Sequence, residues 1–276
     1  MLETLCRAAA LALLVVTVSP QSACAADAAA QLPSPLAPLH QAIASSDWTA
    51  IAPGVDRLST TAAPAHVLAL TAYRLAPTSI RMRVVPQLAP GGSSAVDIAV
   101  SSHAAIVING GFFWITPDNT LAPTGLLISD GKTLAPRKDC RACPGVVYAD
   151  KKGVHIERER ILKSMRGITA AVQVGPMLVE KGAVITFKPE GPAAARSAVC
   201  LDAAHNVIVV AALSALTLYE MAALMQAAPK DGGFGCETAL NLDGGPSTQV
   251  AVTIKGHSEQ LGFPRPVQNF LAFELK

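Results

Sequence analysis

Short apolar segments, many of them alternating apolar with polar residues, recur along most of this chain. Segments of this kind that are bounded by Gly, Pro, Asn or Asp are typical of β-strands. We predict strands at residues 66–75, 80–85, 104–108, 124–128, 145–149, 154–157, 170–174, 177–179, 197–201, 207–211, 239–242, 249–254 and 269–275. Residues 202–206, between two of these segments, predict the turn of a β-hairpin.

Two other segments predict helices. Residues 217–227 begin with a capping box, formed by Thr217 and Glu220. The apolar face of this helix consists of Leu218, Met221, Ala222 and Met225. Residues 96–101 predict a second, shorter helix. Many strands, few helices and no regular alternation between them predict an α+β fold with a mixed, largely antiparallel β-sheet core, a few flanking helices and a single domain.

The N-terminus has the features of an export signal. Arg7 precedes an apolar stretch at residues 8–18, which is shorter than the roughly twenty residues that a membrane-spanning helix needs. Ala23-Cys24-Ala25 then fits a cleavage site made of small residues. We therefore predict a signal peptide at residues 1–25 and a periplasmic or secreted protein.

Residues 26–50 are rich in Ala, Pro, Gln and Ser, and this composition predicts a flexible N-terminal arm. The folded domain is then expected at residues 51–276. A lipid anchor on Cys24 is not favoured, because Gln21 stands where a lipoprotein signal has an apolar residue.

The composition limits the kinds of partner. The 276 residues are enough for one buried core, and the 15% of charged residues give a net charge of +2 without a basic or acidic run. This balance gives no electrostatic reason to expect nucleic acid or an anionic membrane as a partner. We expect no integral membrane segment once the signal peptide is removed, and the oligomeric state is left open.

Four cysteines follow the predicted signal peptide, at positions 140, 143, 200 and 236. An even number in an exported chain favours disulfides. We prefer Cys140–Cys143 as a local bridge and Cys200–Cys236 as a bridge between strands, although four cysteines allow three pairings. A zinc site is disfavoured, because the single CxxC motif has no matching histidines nearby.

Two polar segments with paired glycines carry the candidate chemistry. Asn241 and Asp243 lie one residue apart, on one face of a predicted strand, just before Gly244-Gly245 and Ser247. Paired glycines force a tight turn and let a ligand approach the backbone closely. Asn109-Gly110-Gly111 ends another apolar strand and precedes Phe112, Phe113 and Trp114. We interpret the two segments as two walls of one site.

Several segments, taken in order, resemble the phosphodiester glycosidase family, the group related to the lysosomal enzyme that uncovers mannose 6-phosphate by removing N-acetylglucosamine. The matching segments are Asn109-Gly-Gly-Phe-Phe113, Pro123-Thr-Gly-Leu-Leu-Ile128, Val174-Gly-Pro-Met-Leu178, Arg196-Ser-Ala-Val199 with Asp202, and the segment from Cys236 to Gly245 with Ser247. The resemblance covers roughly residues 66–276. Pro246 departs from it, since many members have a glycine or another small residue there.

The resemblance implies an exported hydrolase that cleaves a glycosyl-1-phosphodiester linkage in an envelope or extracellular glycan. Ordinary glycosidases use two carboxylates, one of which protonates a poor leaving group. A phosphate is already a good leaving group, so one carboxylate, one arginine and backbone N–H groups are expected to suffice. Asp243 is the candidate base or nucleophile, Asp202 a second catalytic carboxylate, and Arg196 the phosphate ligand. The candidate substrate-binding residues are Asn109, Gly110, Gly111, Phe113, Arg196, Asn241, Gly244, Gly245 and Ser247.

Other interpretations stay open at this point. The chain is also compatible with a glycosidase on a neutral polysaccharide that uses Asp243 and Asp202 as a pair, or with a non-catalytic glycan-binding protein. Both aspartates are also typical of residues that only shape a turn. No cofactor is predicted. A divalent cation such as calcium is left open, because Asp118, Asn119 and Asp130 offer oxygen ligands without the spacing of an EF-hand.

Overall fold

The computed structural model describes residues 35–60, 69–88, 91–185 and 187–276. The predicted signal peptide lies outside these residues. The described helices are α1 (Leu36–Ala44), α2 (Ala95–Ser102) and α3 (Leu218–Gln226). The described strands are β1 (Thr49–Ala52), β2 (Val55–Thr60), β3 (Leu70–Leu75), β4 (Ile80–Pro86), β5 (Ile106–Asn109), β6 (Phe113–Ile115), β7 (Leu121–Pro123), β8 (Leu127–Ser129), β9 (Lys132–Ala135), β10 (Gly145–Asp150), β11 (Gly153–Arg158), β12 (Ala170–Val174), β13 (Met177–Glu180), β14 (Ala183–Val184), β15 (Ala194–Asp202), β16 (Val207–Leu216), β17 (Cys236–Asn241), β18 (Val250–Ile254), β19 (His257–Leu261) and β20 (Asn269–Leu275).

These strands form three antiparallel sheets and one small ribbon. Sheet I has the strand order β1-β2-β3-β16-β15-β17-β13-β14, sheet II has β11-β10-β12-β8-β9, and sheet III has β19-β18-β5-β20-β4. The ribbon pairs β6 with β7. The structure therefore agrees with the predicted largely antiparallel α+β fold, although strands dominate it.

The three sheets share one buried core. Each sheet contributes fully buried apolar side chains to it, for example Val199 and Val209 from sheet I, Val147 and Val172 from sheet II, and Ile108 and Phe273 from sheet III. A second cluster packs α1 and α3 against the other face of sheet I. A third packs α2 against the other face of sheet III. Burial of these apolar surfaces is the main force that holds the sheets together.

The antiparallel ladders define two ends of the sheets. We call the first the Asp243 end; β5, β12 and β17 finish there, and β15 and β20 begin there. We call the second the Asp202 end; the turns that begin at Ala76, Asp130, Asp150 and Asp202 meet there around a cavity of about 1240 Å³. Asp202 pairs with Cys236 at one end of the β15–β17 ladder, and Ala198 pairs with Asn241 towards the other.

The helix predictions are confirmed. α3 has the predicted capping box between Thr217 and Glu220, and α2 covers the shorter predicted helix. The prediction of a flexible arm is wrong for its second half, where α1 buries Leu39 and Ile43 against sheet I. His40 Nδ1 also lies 2.9 Å from the carbonyl oxygen of Gly232. The Ala- and Pro-rich composition concealed these two buried positions.

Both predicted disulfides are present. Cys140–Cys143 closes a short loop, and Cys200–Cys236 joins the neighbouring strands β15 and β17. Several short strands that the sequence did not predict, including β2, β9 and β19, lie at or near sheet edges, where partial exposure weakens the apolar pattern. Among the described helices, none is long and apolar enough to cross a membrane.

Candidate active site

The two predicted walls of the site meet through backbone hydrogen bonds. The N–H of Asp243 donates to the carbonyl of Gly110 (2.9 Å), and the carbonyl of Asp243 accepts from Asn109 Nδ2 (2.7 Å). Asp243 is therefore held on both sides by the segment that follows β5. This arrangement fixes the direction of its side chain at the end of the central core.

The carboxylate of Asp243 is largely withdrawn from solvent. Its Oδ1 accepts from the N–H of Gly244 (3.0 Å), and the hydroxyl of Ser247 also hydrogen-bonds to it. Burial raises the pKa of Asp243 above its ordinary value, and the two hydrogen bonds offset this only in part. A carboxylate with a raised pKa is a better proton acceptor than an exposed one.

Arg196 lies beside Asp243 on the neighbouring strand. The hydrogen bond from the N–H of Leu242 to the carbonyl of Ser197 (2.9 Å) continues the β15–β17 ladder and places Arg196 opposite Asp243. A Cβ on Gly244 would be 3.9 Å from Arg196 Nη1, so the guanidinium lies against the turn that follows Asp243.

The guanidinium of Arg196 is oriented by neutral groups. Nε donates to the carbonyl of Leu216 (2.8 Å) and Nη2 to that of Pro192 (2.7 Å). Burial lowers the pKa of Arg196 and the charge of Glu220 opposes this, but an arginine stays cationic at neutral pH. The arrangement suits an anionic ligand group.

Asn109 supports the site from within. Its side chain is fully buried, and its Oδ1 accepts from Ser197 Oγ (2.7 Å) and from the N–H of Gln249 (3.1 Å). Its Nδ2 donates to the backbone of Asp243. The prediction that Asn109 contacts the substrate is therefore wrong, and the structure makes it a positioning residue.

Gly110 and Gly111 permit close packing rather than ligand binding. Their N–H groups donate to the backbone carbonyl and to the Oδ1 of Asn269, at 2.9 and 2.8 Å. A Cβ on Gly110 would lie 2.0 Å from that Oδ1, and one on Gly111 would lie 2.6 Å from Val172 Cγ1. The two N–H groups are occupied within the protein, which corrects the prediction that they bind sugar or phosphate.

The second glycine pair differs from the first. A Cβ on Gly244 would lie 2.9 Å from the carbonyl oxygen of Ala195, so Gly244 lets β15 approach. Gly245 has φ +56°, and no atom lies within 4 Å of the place where its Cβ would be. The open space at Gly245 leaves this side of the turn accessible to a ligand. The predicted substrate-binding role of Gly245 therefore fits its position.

Asn241, which the strand period predicts on the same face as Asp243, is the last residue of β17 and is buried. Nδ2 donates to the carbonyls of Gly175 (2.9 Å) and Leu242 (2.6 Å). These bonds attach the segment between β12 and β13 to the end of β17. Its Oδ1 has no hydrogen-bond partner among the described residues. The side chain thus positions the turn, and direct contact with a sugar would require rearrangement.

Asp202 is far from Asp243. It lies at the other end of β15, and the strand rise puts the two aspartates roughly 20 Å apart. Its carboxylate accepts from the N–H groups of Ala204 (2.9 Å) and Asn206 (2.8 Å) and from Asn206 Nδ2 (2.9 Å). Paired catalytic carboxylates need separations of about 5 to 9.5 Å. The prediction of Asp202 as a catalytic partner of Asp243 is wrong.

The aromatic cluster divides between core and surface. Phe112 packs against the central core, and Phe113 is half-buried against the cluster around α2. Trp114 is exposed. The packing of Phe113 leaves less of its ring for the substrate contact predicted for it. The ring of Trp114 is the one that solvent reaches.

No group of three or more His, Cys, Asp or Glu residues suited to a metal ion occurs among the described residues. Asp118 and Asn119 lie in the turn between β6 and β7. Asp130 lies in the turn between β8 and β9, at the Asp202 end. The structure does not bring the candidate calcium ligands together.

Three buried polar residues near the site were missed. Gln249 Oε1 accepts from the N–H of Ala95 (2.7 Å), Asn269 binds the Gly110-Gly111 segment, and Ser197 binds Asn109. Each of the three is a polar residue at or near the end of an otherwise apolar strand. That pattern was the available signal, since a buried polar side chain needs hydrogen-bond partners and often holds a specific backbone arrangement.

Known proteins match most of the described chain. The family model for phosphodiester glycosidase matches residues 102–274. The catalytic domain of zebrafish N-acetylglucosamine-1-phosphodiester alpha-N-acetylglucosaminidase, auto-inhibited by its pro-peptide, has a similar structure with a TM-score of 0.60 and 17% identity, over 84% of this chain and 88% of that one.

Two further solved structures are similar. A hypothetical protein from Synechocystis has a TM-score of 0.50 and 18% identity, over 84% of this chain and 61% of its own. A putative exported protein from Burkholderia pseudomallei has a TM-score of 0.51 and 12% identity, over 74% and 73%. These likenesses concern the fold alone. No curated protein matches the chain.

Proposed function

Because this chain belongs to the phosphodiester glycosidase family, we propose that it hydrolyses the bond between a sugar and a phosphodiester, with Asp243 as the reacting carboxylate. Family membership implies a glycosidase-type hydrolase. The finer assignment rests on one observation: a largely buried carboxylate with a raised pKa lies at a turn against which a half-buried arginine packs, and the hydrogen bonds of that arginine go to backbone carbonyls.

In the proposed reaction the bond between the anomeric carbon and the phosphate oxygen breaks. The electron pair of that bond leaves with the phosphate, and Arg196 stabilises the added negative charge. Asp243 either takes a proton from the attacking water or attacks the anomeric carbon first, as in the two standard glycosidase mechanisms. Both routes give the free sugar, a phosphomonoester and one proton. Asn109 and Asn241 hold the backbone around Asp243 in both.

The proposed substrate is an N-acetylglucosamine-phosphate-like unit of an envelope or extracellular glycan. The zebrafish relative is named for an N-acetylglucosamine phosphodiester, and this chain has the same fold. Two disulfides fit an oxidising compartment outside the cytoplasm. The predicted signal peptide supports the same location.

The decisive assay uses the purified mature protein with an aryl phosphodiester of N-acetylglucosamine. An aryl N-acetylglucosaminide without phosphate serves as the matched substrate. We expect turnover of the phosphodiester and little turnover of the simple glycoside, because only the former offers Arg196 an anion. Equal turnover of both substrates would replace the proposal with an ordinary glycosidase.

A second function, glycan binding without catalysis, is favoured by one observation. The hydrogen bonds to the carboxylate of Asp243 come from Gly244 and Ser247, which belong to its own turn. A structural aspartate has the same pattern. Binding of the phosphodiester without turnover, measured by calorimetry over a range of sugars, would establish this function instead.

A further inference from the structure

Four large apolar side chains are exposed around the Asp243 end. The exposed fractions are 66% for Leu88, 51% for Trp114, 63% for Ile115 and 83% for Phe263. We call these four side chains the apolar rim. Exposed apolar side chains that cluster mark interaction surfaces more often than isolated ones do.

The segments that carry the rim are contiguous. Ile115 pairs with Leu121 across the β6–β7 ribbon. The Cβ position of Gly92 lies 2.9 Å from Leu121 Cδ1 and 3.1 Å from Pro266 Cβ, so the ribbon and the loop of Phe263 border the same glycine. Leu88 follows Gln87, whose N–H donates to the carbonyl just before β20 (2.6 Å). The rim is therefore one region formed by three neighbouring segments.

Hydrogen bonds connect this region to the candidate active site. Gln249 Nε2 donates to the carbonyl of Arg265 (2.8 Å), and the N–H of Gln249 donates to Asn109 Oδ1 (3.1 Å). Asn109 in turn holds the backbone of Asp243. Gly262, with φ +89°, packs so closely that a Cβ would lie 2.2 Å from the carbonyl oxygen of Thr248. The loop that presents Phe263 is thus fixed relative to Asp243.

The segments that carry the rim contain one cation and one anion. Arg265 is exposed beside Phe263 and forms no ion pair within the described ranges, and Asp118 is exposed in the β6–β7 turn. Segments with one cation, one anion and four exposed apolar side chains match a zwitterionic headgroup layer over hydrocarbon. They do not match a polyanion, which needs a basic surface. Trp and Phe side chains are also suited to a lipid–water boundary.

We propose that the apolar rim inserts into a lipid surface and that the substrate is a sugar phosphodiester displayed on that surface. The inference rests on the proposed function for the identity of the substrate, but not for the binding to lipid. Insertion of the rim directs the Asp243 end towards the headgroups, where a lipid-linked phosphodiester lies. It also explains why large apolar side chains are exposed next to the site.

Sedimentation with phosphatidylcholine vesicles tests the proposal. The mature protein without the predicted signal peptide is compared with Trp114→Ser/Phe263→Ser and with the control Val100→Ser. Val100 is also 64% exposed, but it lies on α2, away from the rim. We expect the double variant to partition about 100-fold more weakly, since each of the two large side chains contributes roughly a factor of ten. The control should partition like the wild type.

Three outcomes would overturn the proposal: no binding of the wild type, equal binding of the double variant, or an equal loss in Val100→Ser. A wild-type dimer that Phe263→Ser dissociates in analytical ultracentrifugation would assign the rim to a second copy instead. Circular dichroism checks that the variants fold.

Two further measurements separate this inference from the proposed function. Asp243→Asn should bind vesicles like the wild type. Trp114→Ser/Phe263→Ser should keep its turnover of the water-soluble aryl phosphodiester and lose turnover of a lipid-linked one. Vesicle binding without turnover of any phosphodiester would refute the proposed function, and the proposal that the rim binds lipid would stand. Turnover of the soluble substrate without vesicle binding would refute the rim alone.

Discussion

The Asp243 end and the Asp202 end each present an aspartate that follows a β-strand and begins a turn. The carboxylate of Asp202 accepts three hydrogen bonds within its own turn, one from the N–H of Ala204 and two from the N–H and the side-chain amide of Asn206. The carboxylate of Asp243 accepts hydrogen bonds from the N–H of Gly244 and from the hydroxyl of Ser247, and burial raises its pKa. Two residues with similar local sequence therefore have different chemical properties.

The surroundings of the two aspartates explain the difference. Around Asp243, the buried amide of Asn109 holds the backbone, and Arg196 supplies a cation whose hydrogen bonds go to backbone carbonyls. At the Asp202 end, the arginine Arg83 is paired with Glu274 (2.8 Å) and Asp130 (3.5 Å). The arginine at the Asp202 end therefore forms ion pairs, whereas the arginine near Asp243 donates its hydrogen bonds to carbonyls.

The largest expected effect is that of Asp243→Asn. We expect turnover of the aryl phosphodiester to fall about 10³-fold or more, because the reacting carboxylate is lost. Because burial raises the pKa of Asp243 in the folded protein, its ionised carboxylate destabilises the native state at pH 7. The neutral amide of Asp243→Asn removes this cost, so the variant should unfold at the same temperature as the wild type or at a higher one. Calorimetry and steady-state kinetics measure both effects.

Asp202→Asn is the matched control for that change. It should keep its turnover and lose about 1 kcal/mol of unfolding free energy, because the carboxylate accepts three hydrogen bonds within its turn. A loss of turnover in Asp202→Asn, with Asp243→Asn active, would reverse the assignment of the two ends.

Arg196→Ala should have the next largest effect. We expect kcat/KM for the phosphodiester to fall about 10- to 100-fold, since a charge-assisted contact to phosphate is removed. Turnover or binding of a phosphate-free glycoside should change little. Arg83→Ala, at the Asp202 end, is the control and should leave both substrates unaffected. An equal effect of Arg196→Ala on both substrates would exclude a phosphate-binding role.

The ionisation of Asp243 should also appear in the pH dependence of kcat/KM, as an effect smaller than those of Asp243→Asn and Arg196→Ala. Activity should rise with pH through a pKa above the ordinary value of about 3.9, because Asp243 must be ionised and burial opposes ionisation. In Ser247→Ala this acid limb should move to still higher pH, because the hydroxyl stabilises the ionised form. A limb that moves down would contradict the assignment of the limb to Asp243.

The smallest effect on turnover is expected from Cys200→Ala together with Cys236→Ala. The disulfide joins β15 to β17 near Asp202, so its loss should leave the Asp243 end intact. The unfolding free energy should fall by about 3 to 4 kcal/mol, given the loop that it closes. Urea denaturation measures the change. Greatly reduced turnover in the folded variant would show that the two ends are coupled.

Much of the fold could be predicted from the sequence. The capping box of α3, the β15–β16 hairpin and the long apolar strands depend on neighbouring residues, and the structure confirms them. α1 was not predicted, because its buried residues Leu39 and Ile43 lie in a composition typical of a flexible arm. Their burial depends on sheet I and α3, which lie far away in the sequence.

The contact between Asp243 and the Asn109 segment could also be predicted from the sequence. The order of the motifs led to Asp243 and to its contact with the Asn109 segment, since both follow apolar strands of one core. The roles of individual polar residues were not predictable. Asn109 and Asp202 have donors or acceptors that suit a ligand equally well, and only their hydrogen bonds show that the protein already occupies them.

The sequence by itself determined the antiparallel β architecture, the disulfide pairs preferred among three, and the family, because these depend on local patterns and on the order of motifs. The tertiary structure alone decided which polar groups remain available to a ligand. It set Arg196 opposite Asp243 and moved Asp202 to the other end of the same strand. The physical reason is that burial, charge compensation and hydrogen bonding depend on residues brought together from distant parts of the chain.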